Sequence, residues 1–353
     1  MNMKRSWLSC LVTGFLCALP AHAQSYAMLG PGFGDAAAGD SPAAQAIIAR
    51  ARDALTRPPA PIPVVHTEGT LPGKGIREES SVARRDIPIT QDLAMAWRFT
   101  GDRRYLDQAA RYLDAWITTY RISLNPIDET WFDRLLFATD LVEKDLPSAL
   151  QARLNDFWRR MAIGYLDAMS GKRPKPHTNW QSHRVKLATM AAFQGGDPVL
   201  ISRAREAFRA QVSANIRPDG STFDFHERDA LHYVTYDLDP LLMAAITAKV
   251  HGENWYAWKS PSGSSLKQAV TWLEPYARGD KVHIEFVRSK IAFDRERAAA
   301  GQTEYKPHPW SPANAVPTFA LAAFCDPALK GFSEALATRT GGQPAEWISL
   351  FSS

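Results

Sequence analysis

The sequence predicts an all-α fold: an incomplete (α/α) toroid of stacked helical hairpins. Three observations carry this. Apolar residues recur at three-to-four spacing through most of the chain after residue 89. Strand signals are scarce, so helices must bury their apolar stripes against one another. No fixed-period repeat disturbs that pattern, which disfavours a regular solenoid, while 11 Trp residues suit the broad interior of a closed ring of helices.

The elements follow in order. MNMKRS is basic and free of acid, WLSCLVTGFLCALP is apolar, and AHA is a small-x-small pattern, so residues 1–23 read as an export signal cleaved after Ala23. A single toroid domain over 24–353 and a periplasmic or secreted location are therefore expected. The leader is short for a membrane span, and no later stretch is long and apolar enough for one. Cys10 and Cys17 leave with the signal; Cys325 alone cannot form an intrachain disulfide, so a large core must supply the stability. Loss of Lys4 and Arg5 lowers the formal charge from +4 to +2, which does not announce nucleic acid but leaves room for a local basic groove.

SPAAQAIIARARDALTR (41–57) reads as a helix capped by Ser41, and PPAPIPVVHTEGTLPGKG (58–75) as a long Pro/Gly loop. ITQDLAMAWRFTGD and RRYLDQAARYLDAWITTY form a helix pair around TGD, with Leu93, Ala96, Trp97, Tyr105, Ala109, Tyr112, Leu113 and Trp116 as the apolar stripe. The helical series continues through ETWFDRLLFATDLVEK, SALQARLNDFWRRMAIGYLDAM, NWQSHRVKLATMAAF, PVLISRAREAFRAQVSANI, ALHYVTYDLDPLLMAAITAKV, SLKQAVTWLEPYAR and KVHIEFVRSKIAFDRERAAA.

Three polar constellations interrupt it. HTNWQSHR (177–184) heads an apolar helix starting near Thr178 or Asn179; Asn179, Ser182 and His183 then share a face. The bland alternative is a capping Asn179 and a satisfied, surface-exposed His183. Trp180 is core, sugar platform, or both. In RPDGSTFDFHERDALHYVTYDLDP (217–240), the turn PDG precedes Asp224, Glu227, Arg228, His232, Tyr233, Tyr236 and Asp237, and the pairs Arg228/His232, His232/Tyr236 and Tyr233/Asp237 lie four apart. An ion-paired, solvated helix face is the alternative there. KGIREESSVARR (74–85) offers Lys74, Arg77, Arg84 and Arg85 to an anionic groove, or simply to solvent. HExxH, CxxC, GxSxG, P-loop and EF-hand patterns are all lacking, so no metal or other cofactor is expected.

These segments, in this order, resemble the helical-toroid alginate lyases of periplasmic Gram-negative type. SVARRDIPITQDLAMAWRFTGDRRYLDQAARYLDAWI is similar to the family's early helix pair. TNWQSHRVKLATMAA stands where the family has Thr-Asn-Asn-His-Ser-Tyr-Trp, and PDGSTFDFHERDALHYVTYDLDPLLMAA matches its Arg-Ala-Leu-His-Tyr and Leu-x-Pro-Leu run. The resemblance covers most of 75–340. It implies that Tyr233 stands at the catalytic tyrosine and Asn179 at the first asparagine, with Gln181 on the histidine position and His183 two residues displaced from it. Arg228 lies near the family's arginine, out of register.

The implied reaction is β-elimination on a uronate polymer, an acidic polysaccharide, by a monomer. The C5 proton beside the carboxylate is removed and the C4–O bond breaks. Because the carboxylate is already negative, its charge must be offset by aimed donors, a role that suits Asn179 with Arg228, Gln181 or Arg184. His183 or Tyr233 is then the base, and Tyr233 can protonate the leaving oxygen. Trp180, Gln181, Arg184, His232, Tyr236, Lys74 and Arg84 are the expected substrate-binding residues. Two rivals stand beside this. A toroid glycoside hydrolase would use two carboxylates from Asp224, Glu227 and Asp237. A non-catalytic polysaccharide-binding protein would keep the groove and tolerate loss of Tyr233.

Overall fold

The computed structural model describes residues 25–30, 39–171 and 177–351; the expected export signal, with Cys10 and Cys17, lies outside them. Fifteen α-helices and one two-stranded sheet are found among the described residues. Helix α1 (Pro42–Ala54) starts as expected, Ser41 Oγ accepting from Ala44 N at 3.2 Å. After the Pro/Gly loop come α2 (Arg77–Ala83), α3 (Asp86–Thr100) and α4 (Arg103–Thr119). The TGD turn separates the last two: Gly101 takes a left-handed φ of 66°, and Asp102 caps α4.

The remaining helices are α5 (Asp133–Val142), α6 (Ser148–Ser170), α7 (Asn179–Gly195), α8 (Pro198–Asn215), α9 (Phe223–Arg228), α10 (Leu231–Val250) and α11 (Leu266–Arg278). They are followed by α12 (Ala292–Ala299), α13 (Val316–Cys325), α14 (Lys330–Thr340) and α15 (Glu346–Phe351). Helices α3, α5, α7, α10 and α13 pack side by side as an inner row, and α4, α6, α8, α11 and α14 contact that row from outside. This is the incomplete toroid. Its inner helices are enclosed on every side, which is why α7 and α10 are buried almost along their whole length while α4 buries only one stripe. Trp116, Trp158, Tyr112, Tyr165, Phe137 and Phe208 fill the main core. Ahead of α1, the backbone N–H groups of Ala27, Met28 and Leu29 donate to the buried Asp140 carboxylate of α5 at 2.7–2.9 Å. No helix among the described residues is long and apolar enough to cross a membrane.

One expected helix is corrected. KVHIEFVRSKIAFDRERAAA is helical only from Ala292. Before that, β1 (Ile284–Glu285) pairs antiparallel with β2 (His308–Pro309). The backbone of 286–290 gives its donors to the α9–α10 junction instead of to itself. Phe286 N reaches Asp229 O at 2.8 Å, Arg288 N reaches Asp229 Oδ2 at 2.8 Å, and Lys290 N reaches Glu227 O at 2.9 Å. Val282, Ile284 and Val287 stay exposed. The apolar residues of this stretch therefore never formed a helical stripe against the core.

Candidate active site

Two inner helices begin at one end of the toroid, and each start is completed by a carboxylate from elsewhere in the chain. At α7, Thr178 makes no side-chain cap; Asp224 replaces it, accepting from the Asn179 backbone N at 2.9 Å and from Asn179 Nδ2 at 2.6 Å. Asn215 Nδ2 adds a third donor at 3.2 Å. At α10, Glu285 Oε1 accepts from His232 N at 2.6 Å. A negative group at a helix N-terminus satisfies orphan donors and the macrodipole together. Deeper in, Asp237 Oδ1 accepts from Ser182 Oγ at 2.5 Å, while Oδ2 is buried without a hydrogen bond. Burial first, and the Asp224 charge second, push the Asp237 carboxyl well above the usual range. Burial also raises the Asp224 carboxyl, to about 6, but its donors from Asn179 and Asn215 oppose the rise and leave it the more acidic of the two.

Between these helix starts lies a cavity of about 660 Å³. One wall is the loop Thr67–Gly69, pinned from below by Asp128, which accepts from Thr67 N at 2.7 Å, Glu68 N at 2.9 Å and His66 Nδ1 at 2.8 Å. Arg77 clamps the same loop through the Thr67 and Thr70 carbonyls. Next to it stands Trp131, 38% exposed, on a 3₁₀ turn (Thr130–Phe132). The turn is anchored by Glu129, a fully buried carboxylate that accepts from Tyr120, Tyr165 and Ser123. The guanidinium groups of Arg84 and Arg134 lie 5.8 and 4.7 Å from the Trp131 ring centre. Among the described residues no carboxylate is within ion-pair distance of Arg84, and burial pulls its pKa down from the ordinary value.

Tyr233 stands on the first turn of α10. Arg228 covers its ring, guanidinium carbon 3.7 Å from the ring centre, while forking onto buried Asp294 at 3.1 and 2.5 Å. Arg297 Nη1 donates to Tyr233 Oη at 3.2 Å. Burial, only partly opposed by Arg228 and Arg297, holds the phenol well above its usual pKa, so Tyr233 is protonated at neutral pH. Neighbouring His232 is shifted the other way: burial, then Arg228 and Arg297, lower its pKa and keep the imidazole neutral. Tyr236 is parallel to His232, ring centres 6.2 Å apart, and burial pushes its phenol upward as well. A donor phenol, a neutral imidazole and guanidinium groups around one cavity can move protons beside an anion. Among the described residues, no group of three or more His, Cys, Asp or Glu side chains is arranged to hold a metal ion.

Of the residues singled out from the sequence, Asn179, Trp180, Arg84, Arg228, His232, Tyr233 and Tyr236 line this cavity, as do two of the three carboxylates named for the hydrolase rival, Asp224 and Glu227. Gln181, His183, Arg184 and Lys74 do not. Lys74 is exposed on a turn beyond the loop. Arg184 bonds Gln181 at 3.3 Å and lies over the Trp180 ring, both polar groups being buried along α7. His183 sits one helical turn deeper than Asn179. Lys186 spends its three donors on Thr130 O, Thr130 Oγ1 and Asp133 Oδ2, and the Thr130 hydroxyl also shares a 2.7 Å hydrogen bond with His183 Nδ1. The ring rests on Tyr236, centres 4.5 Å apart, and its Nε2 is buried without a hydrogen-bond partner. Burial and Lys186 drive its pKa well below the usual value. The alternative of a satisfied surface histidine is therefore corrected as well: His183 is buried in the wall of the inner row.

Glu68, Trp131, Arg297 and Tyr305 were not singled out, yet they line the cavity. Trp131 had a usable signal, an aromatic before an acid-rich helix start with arginine nearby. Arg297 had none, since DRERAAA reads as any solvated helix.

Residues 36–284 match the family described as alginate lyase. A solved structure of an alginate lyase from Bacteroides ovatus is similar in fold, with a TM-score of 0.64 at 18% identity over 89% of this chain and 95% of that one. An alginate lyase from Sphingomonas species A1 gives a TM-score of 0.50 at 19% identity over 72% of this chain and 81% of that one. At such identities the likeness speaks for the fold. No curated protein sequence matches the chain.

Proposed function

Since the chain belongs to the alginate lyase family and is a polysaccharide lyase, we propose that it is exported and cleaves an alginate-type uronate polymer by β-elimination at the cavity between the α7 and α10 starts. The observation that carries this is the grouping of a protonated Tyr233, a neutral His232 and the cations Arg84, Arg228 and Arg297 with Asn179 around that cavity. Arg84, which lies near the Asp128 charge but makes no ion pair among the described residues, and the Asn179 amide offset the substrate carboxylate, so that charge developing on it meets preorganised donors. We place the base role, expected of His183 or Tyr233, on His232, which lines the cavity and is neutral. It takes the C5 proton; the C5–H pair becomes the C4=C5 double bond, the C4–O pair leaves with the departing sugar, and Tyr233 protonates that oxygen. Arg228, with its charge matched by Asp294, fixes the Tyr233 ring. Trp131 and Trp180 offer sugar-stacking faces.

The hydrolase alternative is poorly supported. Asp224 spends its oxygens on three donors, Glu227 pairs with Lys290 at 3.0 Å, and Asp237 is buried away from the cavity. The test is ultraviolet absorbance of the unsaturated uronate on alginate, polymannuronate, polyguluronate, glucuronan and hyaluronan. A rising signal is expected, with Tyr233→Phe lowering it by roughly 10²–10⁴-fold. New reducing ends without absorbance would favour hydrolysis, and silence from folded protein would favour a binding role. Export is supported by the basic, apolar and small-residue leader; a mature protein whose first residue follows Ala23 is the expected finding by mass spectrometry.

A further inference from the structure

The structure assigns to Arg297 a role that the family-matched part of the chain does not supply: we infer that it is the positioning residue that orients the Tyr233 hydroxyl toward the leaving oxygen and stabilises the tyrosinate left after proton transfer. This rests on the elimination reading above.

Three observations carry it. First, the direction of the hydrogen bond is forced. A guanidinium can only donate, so in the 3.2 Å contact Arg297 Nη1 gives and Tyr233 Oη receives. Among the described residues no other hydrogen bond reaches that oxygen, so the phenol keeps its own proton for a group entering the cavity.

Second, Arg297 is the cation whose charge is free for this oxygen. Arg228 is nearer to the ring but lies against its face, and its fork is spent on Asp294, which Ser289 also binds at 2.7 Å. Arg297 instead sits between the Phe293 and Tyr305 rings, its guanidinium carbon 4.4 and 4.8 Å from their centres. Among the described residues no carboxylate lies within ion-pair distance of it.

Third, Arg297 is held where it is by built contacts. The segment before α12 is bonded to the junction that carries Arg228 and Tyr233, through Phe286 N to Asp229 O and Lys290 N to Glu227 O. Asp229 takes a left-handed φ of 51° at that junction and binds Arg288 N through its carboxylate. The family match ends at residue 284, so this donor comes from chain beyond it.

The step balances as follows. The base holds the C5 proton, the C4–O electron pair moves to the leaving oxygen, and that oxygen takes the Tyr233 proton. Tyr233 is left as an anion beside Arg297 and recovers a proton from the base once the product leaves.

The experiment compares wild type, Arg297→Gln and Arg297→Lys on the polymer, and on a uronate bearing a nitrophenoxy group at C4, which departs without a proton. For the polymer, Arg297→Gln should lower kcat by roughly 10²-fold, the cost of one donor to a developing oxyanion, with KM little changed, and Arg297→Lys should recover part of the loss. For the nitrophenoxy substrate the penalty should nearly vanish. An equal loss on both substrates, a loss confined to KM, or full activity of Arg297→Gln would overturn the assignment while leaving the lyase reading intact. A wild type that produces no unsaturated uronate from any polymer would overturn both.

Discussion

His183 and His232 look alike in sequence but are placed differently in the fold. Both lie close to Tyr236, and burial lowers the pKa of both. Only His232 meets the cavity. The proposed base, His232, must be deprotonated, so activity should fall as pH drops through its value, which lies below the ordinary 6.5. The acidic limb of kcat/KM is therefore expected below that pH, and His232→Gln should lower activity and abolish the limb. His183 acts on stability instead. Its folded pKa is depressed, so the unfolded chain binds the proton more tightly; its contribution is complete above about pH 6.5 and lost as pH falls toward the folded value, at up to about 1.4 kcal/mol per pH unit. Urea titrations of His183→Gln should show a flatter acid dependence than wild type, while its kcat/KM keeps the same acidic limb. A limb that disappears in His183→Gln would return the base to that residue.

The elements that frame the cavity were legible to different degrees. A polar cluster at the head of an apolar helix marks the α7 start, and the Arg228–Tyr236 run marks the α10 start, because the residues that make each start functional are consecutive in sequence. Helical period could not separate Asn179 from His183: four residues apart they share a face, and only the depth of the helix in the ring decides which meets the cavity. The carboxylates that complete these starts, Asp224 and Glu285, lie 45 and 53 residues from the groups they bind, beyond any local pattern. Truncating one exposes the dependence. Asp224→Ala should destabilise the protein by roughly 1.5–3 kcal/mol, the usual worth of hydrogen bonds to a buried charge. It should also impair turnover, since Asn179 loses both of its anchors; a lower urea midpoint with unchanged slope would be the signature. The turn at Gly220 is a contrasting case, readable as PDG. Its φ of 92° and the Gln268 carbonyl 2.7 Å from where a Cβ would stand both require glycine.

At the scale of the molecule, the toroid follows from composition and period, whereas the cavity arises where three segments of different origin, 67–69, 130–132 and 291–305, meet the α7 and α10 starts. A uronate oligosaccharide held there binds the folded chain alone. At a hundredfold excess over Kd it should add about 2.7 kcal/mol of stability, visible as a concentration-dependent rise in Tm for a Tyr233→Phe protein that does not consume it. Absence of such a rise with an oligosaccharide the wild type cleaves would place binding elsewhere. The long reach of the closing contacts also bears on the order of assembly. The bonds from Asn179 to Asp224, from His232 to Glu285 and from Arg297 to Tyr233 span 45, 53 and 64 residues, so each must wait for a long loop to close. Inner helices can pack on their neighbours before those closures occur. During refolding, helical circular dichroism should recover ahead of lyase activity, and a chain still emerging during synthesis should already be largely helical while its catalytic end is open.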